Sequence, residues 1–361
     1  MKIPFTNLYQ QYVDCKTEID QAIATTIESC SFITGPDVTK FELEMARYVE
    51  SEDCASTGSG TMALICALRA AGVGPGDEVL TTPHTFVATT EAIVMTGAIP
   101  VFVDIDPDTH LMDLDALERQ VTANSKAVLF VDIYGQCPDL DRMRDICNKY
   151  RLLMIEDGAH SLGTQWRGKP IGGIADLTCF SFNPVKNLGA MGDAGCVTGS
   201  KYMMDRVRMY RDHGRTGRYD IVELGYNARI DNMQSNIVLA KLPKLVHWVN
   251  RKRAICSWYD QQLEGVVKTI RRVPGVGQGH YVYVIQTPRR DELKQFLADR
   301  GIQTNIHYAT TTHLQPAYKK WYSPCPVAEQ TVNEILSLPS WYSMSDEELR
   351  YVVDNIKEFF K

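Results

Sequence analysis

The sequence predicts an α/β protein, with a large, mostly parallel sheet covered by helices on both faces and a smaller C-terminal α+β unit. Three observations carry this. Short apolar runs alternate with helical patterns from residue 53 to residue 155, the rhythm of a parallel sheet. The residues with chemical potential come just after those runs, where open α/β sheets bind their ligands. Beyond Lys201 the rhythm changes to a long helical stretch and a separate strand–helix–strand block.

Residues 37–50 place Phe41, Met45 and Val49 at helical spacing, with charge on the opposite face. A β-type run at 54–57 breaks at Gly58-Ser59-Gly60-Thr61, and the helical segment MALICALRAAG follows, closed by Gly72. Strands are expected at 78–81, 99–103, 127–131 and 152–155, with helices between them at 86–96, 113–121 and 140–150. A helix over 231–264 then leads to a strand at 280–287 and a helix ending at Gly301. A second strand at 302–308 and a last helix at 346–359 complete the block. The chain has no repeat and no Gly/Ser- or Pro-rich linker. The expected division is a large domain at 1–245, opening on an N-terminal helical segment, and a small domain at 246–361, hinged on the long helix.

With 361 residues, 44% hydrophobic and 23% charged, the chain can bury a full core without disulfide or metal staples. Its composition is not that of a disordered protein. The 38 Lys+Arg against 44 Asp+Glu give a net charge of −6. That balance argues against nucleic-acid and anionic-membrane partners, yet leaves room for a small anion in a local pocket. None of the ten cysteines forms a Cys-x-x-Cys pair or a zinc-spaced cluster. Reduced, buried thiols and no metal site are expected. The N-terminus lacks the apolar core of a signal peptide, and no apolar run reaches the ~18 residues of a spanning helix. The expectation is a cytoplasmic protein.

Asp157 follows the apolar run LLMIE, and Lys186 follows LTCFSF in a segment carrying Gly189, Gly192 and Gly195. Each has an ordinary reading: an Asp can cap the next helix, and a lone Lys is usually solvated. Together they point elsewhere. Glycine is costly to order unless backbone must approach something closely, and a lysine fixed at a strand end suits Schiff-base chemistry. That chemistry needs a deprotonated amine, which burial supplies by lowering the usual pKa of ~10.4. Pyridoxal phosphate also needs a carboxylate opposite its ring nitrogen, for which Asp157 is the candidate. Its phosphate needs backbone N–H groups at a helix N-terminus. Ser59-Gly60-Thr61 provides them, with the Thr61 and Ser181 hydroxyls as further donors. Phe86, just past the strand at 78–81, is the candidate to face the ring. Taken singly, Gly60 reads equally as a turn, Ser181 as a strand residue and Phe86 as core.

The motifs IPFTNLYQQY, STGSGTMAL, GPGDEVLTTPHTFVAT, PVFVDID, IEDGAHSLG, SFNPVKNLGAMGDAG, LGYNARIDNMQ, GIQTNIHY and HLQPAY occur in that order. With them the chain resembles the pyridoxal-phosphate-dependent sugar aminotransferases of the DegT/DnrJ/EryC1/StrS family over nearly its whole length. The resemblance implies an aspartate-aminotransferase type fold (PLP fold type I) and a homodimer with active sites at the subunit interface. By the same resemblance Lys186 binds the cofactor and shuttles protons, Asp157 partners the pyridine nitrogen, and His160 contacts the ring oxygen. Phe86 stacks on the ring, while Gly60, Thr61 and Ser181 hold the phosphate. Asn227 is lent to the neighbouring subunit's phosphate site. Arg229, His307 and Tyr308 fall where family members contact the nucleotide-sugar. The implied reaction is ping-pong. L-Glutamate converts the cofactor to pyridoxamine phosphate (PMP) and leaves as 2-oxoglutarate; a nucleotide-linked keto-hexose then receives the amine. The amino sugar would serve a glycan, such as lipopolysaccharide O-antigen, or an antibiotic.

Some positions depart from the family pattern: His160 for a frequent glutamine, Ser59 for asparagine, Val185 for a small residue, and Ala309-Thr310-Thr311 for a proline-containing stretch. The last bears on the sugar. Tyr134-Gly135-Gln136 and LGAMGDAG resemble members that aminate C3 more than those that aminate C4. A 3-keto sugar, dTDP- or UDP-linked, is expected, with a 4-keto sugar as the alternative. Two other classes compete. Gly58-Ser59-Gly60 resembles half a dinucleotide fingerprint, but Ala63 stands where its third glycine belongs. A non-catalytic PLP-fold regulator would have no use for the Lys186/Asp157 pair.

Overall fold

The computed structural model describes the whole chain, residues 1–361. The main sheet contains β1 (Asp53–Thr57), β2 (Glu78–Thr81), β3 (Ile99–Phe102), β4 (Ser125–Val131) and β5 (Leu153–Asp157). After the two-residue strands β6 (Gln165–Trp166) and β7 (Lys169–Pro170), which lie outside that sheet, β8 (Leu177–Ser181) and β9 (Gly195–Gly199) complete it. The order is β1-β9-β8-β5-β4-β2-β3. Only β9 runs against its neighbours, and the remaining pairings are parallel. The expected α/β class is the observed one.

Alternation along each strand explains the two covered faces. In β4, Val128 and Phe130 enter one core with Phe41 and Phe182; Ala127 and Leu129 enter another with Leu64 and Ile93. Each such large side chain stabilises the fold by ~1.5–3 kcal/mol when fully buried. Helices Pro36–Tyr48 and Lys201–Arg211 flank β1. A buried Glu42 ties the three together: it accepts from Ser56 N–H (2.9 Å) and the Ser56 hydroxyl (2.7 Å), and it pairs with Arg208 and Arg211. That network fixes the strand whose end leads into Ser59-Gly60-Thr61.

The long helical stretch expected over 231–264 is broken. Asn232–Lys241 and Leu245–Leu263 are separate α-helices joined by a 3-10 turn at Leu242–Lys244, because Pro243 has no N–H to continue the ladder. The second helix bridges two cores. Leu245, Trp248 and Val249 join the large core, while Ile255, Cys256, Tyr259 and Leu263 pack with Ile285, Leu297 and Leu338. The small sheet runs β10 (Lys268–Thr269), β12 (Tyr283–Gln286), β13 (Ile335–Leu338); β11 (Val276–Gly277) pairs with β6 instead.

The strand expected at 302–308 does not form. That segment makes isolated bridges only, Ile302 with Ile3 and Asn305 with Ser337, and β13 takes the place beside β12. β13 was not foreseen: it is four residues starting directly after helix Pro326–Glu334. The N-terminal helical segment is two helices, Leu8–Asp14 and Lys16–Ser29. Nine of the ten cysteines are buried free thiols; Cys30 is exposed, against expectation. No helix is long and apolar enough to cross a membrane.

Candidate active site

A cavity of about 480 Å³ opens beyond the carboxyl ends of β5 and β8. It gathers Gly60, Thr61, Phe86, Asp157, His160, Ser181, Lys186, His307 and Tyr308. Asn227 and Arg229 stand outside it. One correction concerns Asp157, expected just after its strand. Pairing with Val131 and Cys179 makes it the last residue of β5, so sheet hydrogen bonds hold it in place.

Lys186 sits on a loop that folds back on itself. Lys186 N–H donates to Asn183 O (2.9 Å) and Ala190 N–H to Phe182 O (2.7 Å). The fold-back depends on Gly189, where an added Cβ would lie 2.3 Å from Pro184 O. The amine lies 4.4 Å from the centre of the Tyr281 ring. Burial lowers its pKa to about 8, against the opposing pull of the Asp157 charge. A large share of the amine is therefore neutral near that pH.

Asp157 is 5% exposed. Its Oδ2 accepts the Thr89 hydroxyl (2.7 Å), which is itself 2.7 Å from the Thr85 hydroxyl, and its Oδ1 accepts Ala159 N–H (3.2 Å). Burial raises its pKa; Thr89, the Ala159 N–H and Lys186 pull it down. A cationic ring nitrogen placed against it is the partner that offsets that burial.

The anion cradle is the start of helix Gly60–Ala70. Ser59 caps it by accepting Met62 N–H (3.1 Å). The N–H groups of Gly60 and Thr61 remain for a phosphate, with the helix dipole aligned. Gly60 is required by close approach, since a Cβ there would lie 2.7 Å from Ser181 Cβ. His160 stacks on Tyr281 (4.2 Å between ring centres) and its Nε2 is 3.1 Å from the Tyr308 hydroxyl. Burial, then the Lys186 charge, keeps this imidazole neutral. His307 is held by Ser337 Oγ (2.8 Å), and burial lowers its pKa to about 4. Tyr308 lies 5.6 Å from the half-exposed Phe86 ring.

Arg229 Nη2 donates to Asn227 Oδ1 (3.1 Å) and its Nε lies 3.5 Å from Asp212 Oδ1. Their backbone runs beside the cradle, with Gly58 N–H donating to Ala228 O (2.7 Å). Three contributors were missed from sequence: Thr89, Tyr281 and Lys252. Lys252 Nζ donates to Asn187 Oδ1 (2.9 Å) and Tyr281 O (2.8 Å), and borders a second cavity of about 170 Å³ that also touches Lys186. Only Thr89 carried a signal, as a hydroxyl in the first turn of a helix following a strand end.

The parts match the needs of pyridoxal phosphate: an amine with lowered pKa, a buried carboxylate, and a glycine-lined helix N-terminus in one cavity. Residues 13–357 match the DegT/DnrJ/EryC1/StrS aminotransferase family. The chain belongs to that family. It is an aminotransferase, and pyridoxal 5′-phosphate is its cofactor. It is 38% identical to the pleiotropic regulatory protein of Geobacillus stearothermophilus, over 100% of this chain and 99% of the relative. It is 35% identical to the dTDP-3-amino-3,4,6-trideoxy-alpha-D-glucose transaminase of Streptomyces venezuelae, over 99% of this chain and 96% of the relative. The crystal structure of DesV from S. venezuelae, in complex with a ketimine intermediate, matches with a TM-score of 0.98 at 35% identity, covering 100% and 99% of the two chains.

Proposed function

We propose that this chain moves the amino group of L-glutamate onto a nucleotide-linked keto-hexose, at C3, giving an amino sugar and 2-oxoglutarate. The observation that carries it is the cavity itself: Lys186 and Asp157 come from the loop after β8 and the end of the neighbouring β5, with the helix N-terminus at Gly60 beside them.

When bound, the cofactor supplies an electron sink for the pair left as a substrate C–H bond breaks. The chain does the rest. Asp157 holds the ring nitrogen, and Phe86 covers a ring face. The N–H groups of Gly60 and Thr61 and the Ser181 hydroxyl bind the phosphate. With the cofactor bound, the Lys186 amine would anchor it and, once displaced, would take the proton from the substrate carbon at its Nζ and hand it on across the intervening nitrogen. A pKa of about 8 suits both directions. His160, neutral and paired with Tyr308, orients the ring oxygen.

The sugar reading is supported by the S. venezuelae relative, whose name places the amino group at C3. It is also supported by Tyr134 of the Tyr-Gly-Gln motif, whose hydroxyl donates to His307 O (2.8 Å) and so braces a candidate sugar contact. The nucleotide is dTDP or UDP. We place the enzyme in the cytoplasm, with a large cofactor domain at 1–245 and a small domain at 246–361. A homodimer completes the site, Asn227 serving the neighbouring copy's phosphate and Arg229 the nucleotide-sugar. In support, Tyr219 (80%) and Leu224 (85%) are highly exposed on the same segment.

The test is a panel of dTDP- and UDP-linked 3-keto and 4-keto sugars with glutamate, the aminated carbon located by NMR. Turnover of 3-keto substrates supports the proposal. Exclusive C4 amination overturns the C3 assignment, and failure to release 2-oxoglutarate from glutamate overturns glutamate as the donor.

A further inference from the structure

Two more carboxyl groups lie directly behind Asp157. Asp132 follows β4, and Glu156 precedes Asp157 in the adjacent parallel β5. Both are fully buried (0% exposed). Asp132 Oδ2 accepts the Ser161 hydroxyl (2.7 Å) and Glu156 Oε2 accepts the Thr178 hydroxyl (2.7 Å). The second oxygen of each carboxyl finds no O–H or N–H donor. Neither group is paired with a lysine, arginine or histidine. Instead they are neighbours: Glu156 pairs with Phe130 across β4 and β5, and Asp132 lies two residues beyond Phe130, which puts both carboxyl groups on one face of the sheet at diagonal positions.

Two ionised carboxylates are acceptors only, so neither could satisfy the other's unpartnered oxygen. Two uncompensated charges at full burial are also strongly unfavourable. One proton held between them removes both conflicts, as in other close carboxyl pairs. The titratable groups facing the pair are Asp157 on β5, Cys179 on β8 and Cys137 beyond β4. All are acids, so none supplies a counter-charge. Burial pushes the proton affinity of both groups upward; for Asp132 the Glu156 charge adds to it, while for Glu156 the Thr178 hydroxyl pulls the other way.

We propose that Asp132 and Glu156 share one proton and act as a single monoanionic positioning pair, which limits the charge behind Asp157 to one unit and so sets the proton affinity of Asp157 and the ring nitrogen it faces. The effect on the ring rests on the assignment of Asp157 above; the shared proton does not.

Amide variants separate charge from hydrogen bonding. Asp132→Asn or Glu156→Gln supplies an N–H donor in place of the proton and leaves one negative charge. The double variant leaves none. Infrared spectroscopy of the holoenzyme near neutral pH should show the deuterium-sensitive C=O stretch of a protonated carboxylic acid, lost in D132N and in E156Q. The pH titration of the bound cofactor's absorbance should be unmoved in either single variant. In the double variant it should shift down by about one unit, as a nearby charge is lost. Absence of the acid band in the wild type, or its survival in both single variants, overturns the proposal. So does a single variant that shifts the titration as far as the double. If one variant fails to fold, the wild type and the other still decide the infrared result. A wrong assignment of Asp157 would show separately, as an Asp157→Asn protein with undiminished cofactor affinity while the acid band stands.

Discussion

Lys186 is one of three lysines whose pKa burial lowers to about 8; Lys241 and Lys252 are the others. Proton affinity alone does not choose among them. Their surroundings do: Lys241 Nζ donates to Gly189 O and Lys252 Nζ to Asn187 and Tyr281, whereas Lys186 borders the cavity that holds Asp157. Lys186→Ala should lose the cofactor's Schiff-base absorbance and ~10³-fold or more in transamination, read by steady-state kinetics. The neutral amine is the nucleophile, so addition of pyridoxal phosphate to the apoenzyme should accelerate as pH rises through about 8 and level off above it. Thr89→Val removes a donor to the Asp157 carboxylate, worth about 1.5–3 kcal/mol for a charged acceptor. The carboxyl pKa then rises further, so the acid limb of the rate profile should move to higher pH and turnover should fall by ~10–100-fold. Asp157 and Lys186 were legible in the sequence because each follows an apolar run. Tyr281 and Lys252 were not, since their roles depend on where the small domain and the long helix come to rest.

Elements hold these residues by packing. Phe182, next after β8, meets Phe41 of helix Pro36–Tyr48 edge-on at 5.4 Å, and both are fully buried. Phe182→Ala should cost ~3–5 kcal/mol, measured by denaturant unfolding, and loosen the Lys186 loop with it. Gly189→Ala is a sharper probe. Its Cβ would strike Pro184 O, so the expected outcome is a folded protein by circular dichroism with weakened cofactor binding. Strands and helices with strong periodicity were readable: the strand at 78–81 and the helix at 140–150 coincide with β2 and Leu140–Tyr150. The errors have physical causes. IQTNIHY has the composition of a strand, yet pairing along β12 is taken by β13. The pattern over 231–264 is apolar-periodic throughout, yet Pro243 interrupts it. Local composition records what a segment tolerates, and tertiary pairing decides what it becomes.

Across the whole molecule, a net charge of −6 coexists with a site built for a phosphorylated ligand, because the helix N-terminus and Lys186 act locally. Asn227 and Arg229 make sense only at this scale. They sit outside their own cavity, on a segment whose Tyr219 and Leu224 face solvent. An exposed apolar segment of that kind is what a partner surface covers. If the proposed homodimer uses this segment, Leu224→Asp should give a monomer by sedimentation and weaken cofactor binding; an unchanged dimer would remove that segment from the interface. The central claim is that Lys186 is the residue that bonds the cofactor. Borohydride reduction of the holoenzyme, followed by peptide mapping by mass spectrometry, tests it most directly. A phosphopyridoxyl group on Lys186 is the predicted result, and its appearance on Lys252 with Lys186 unmodified would contradict the account.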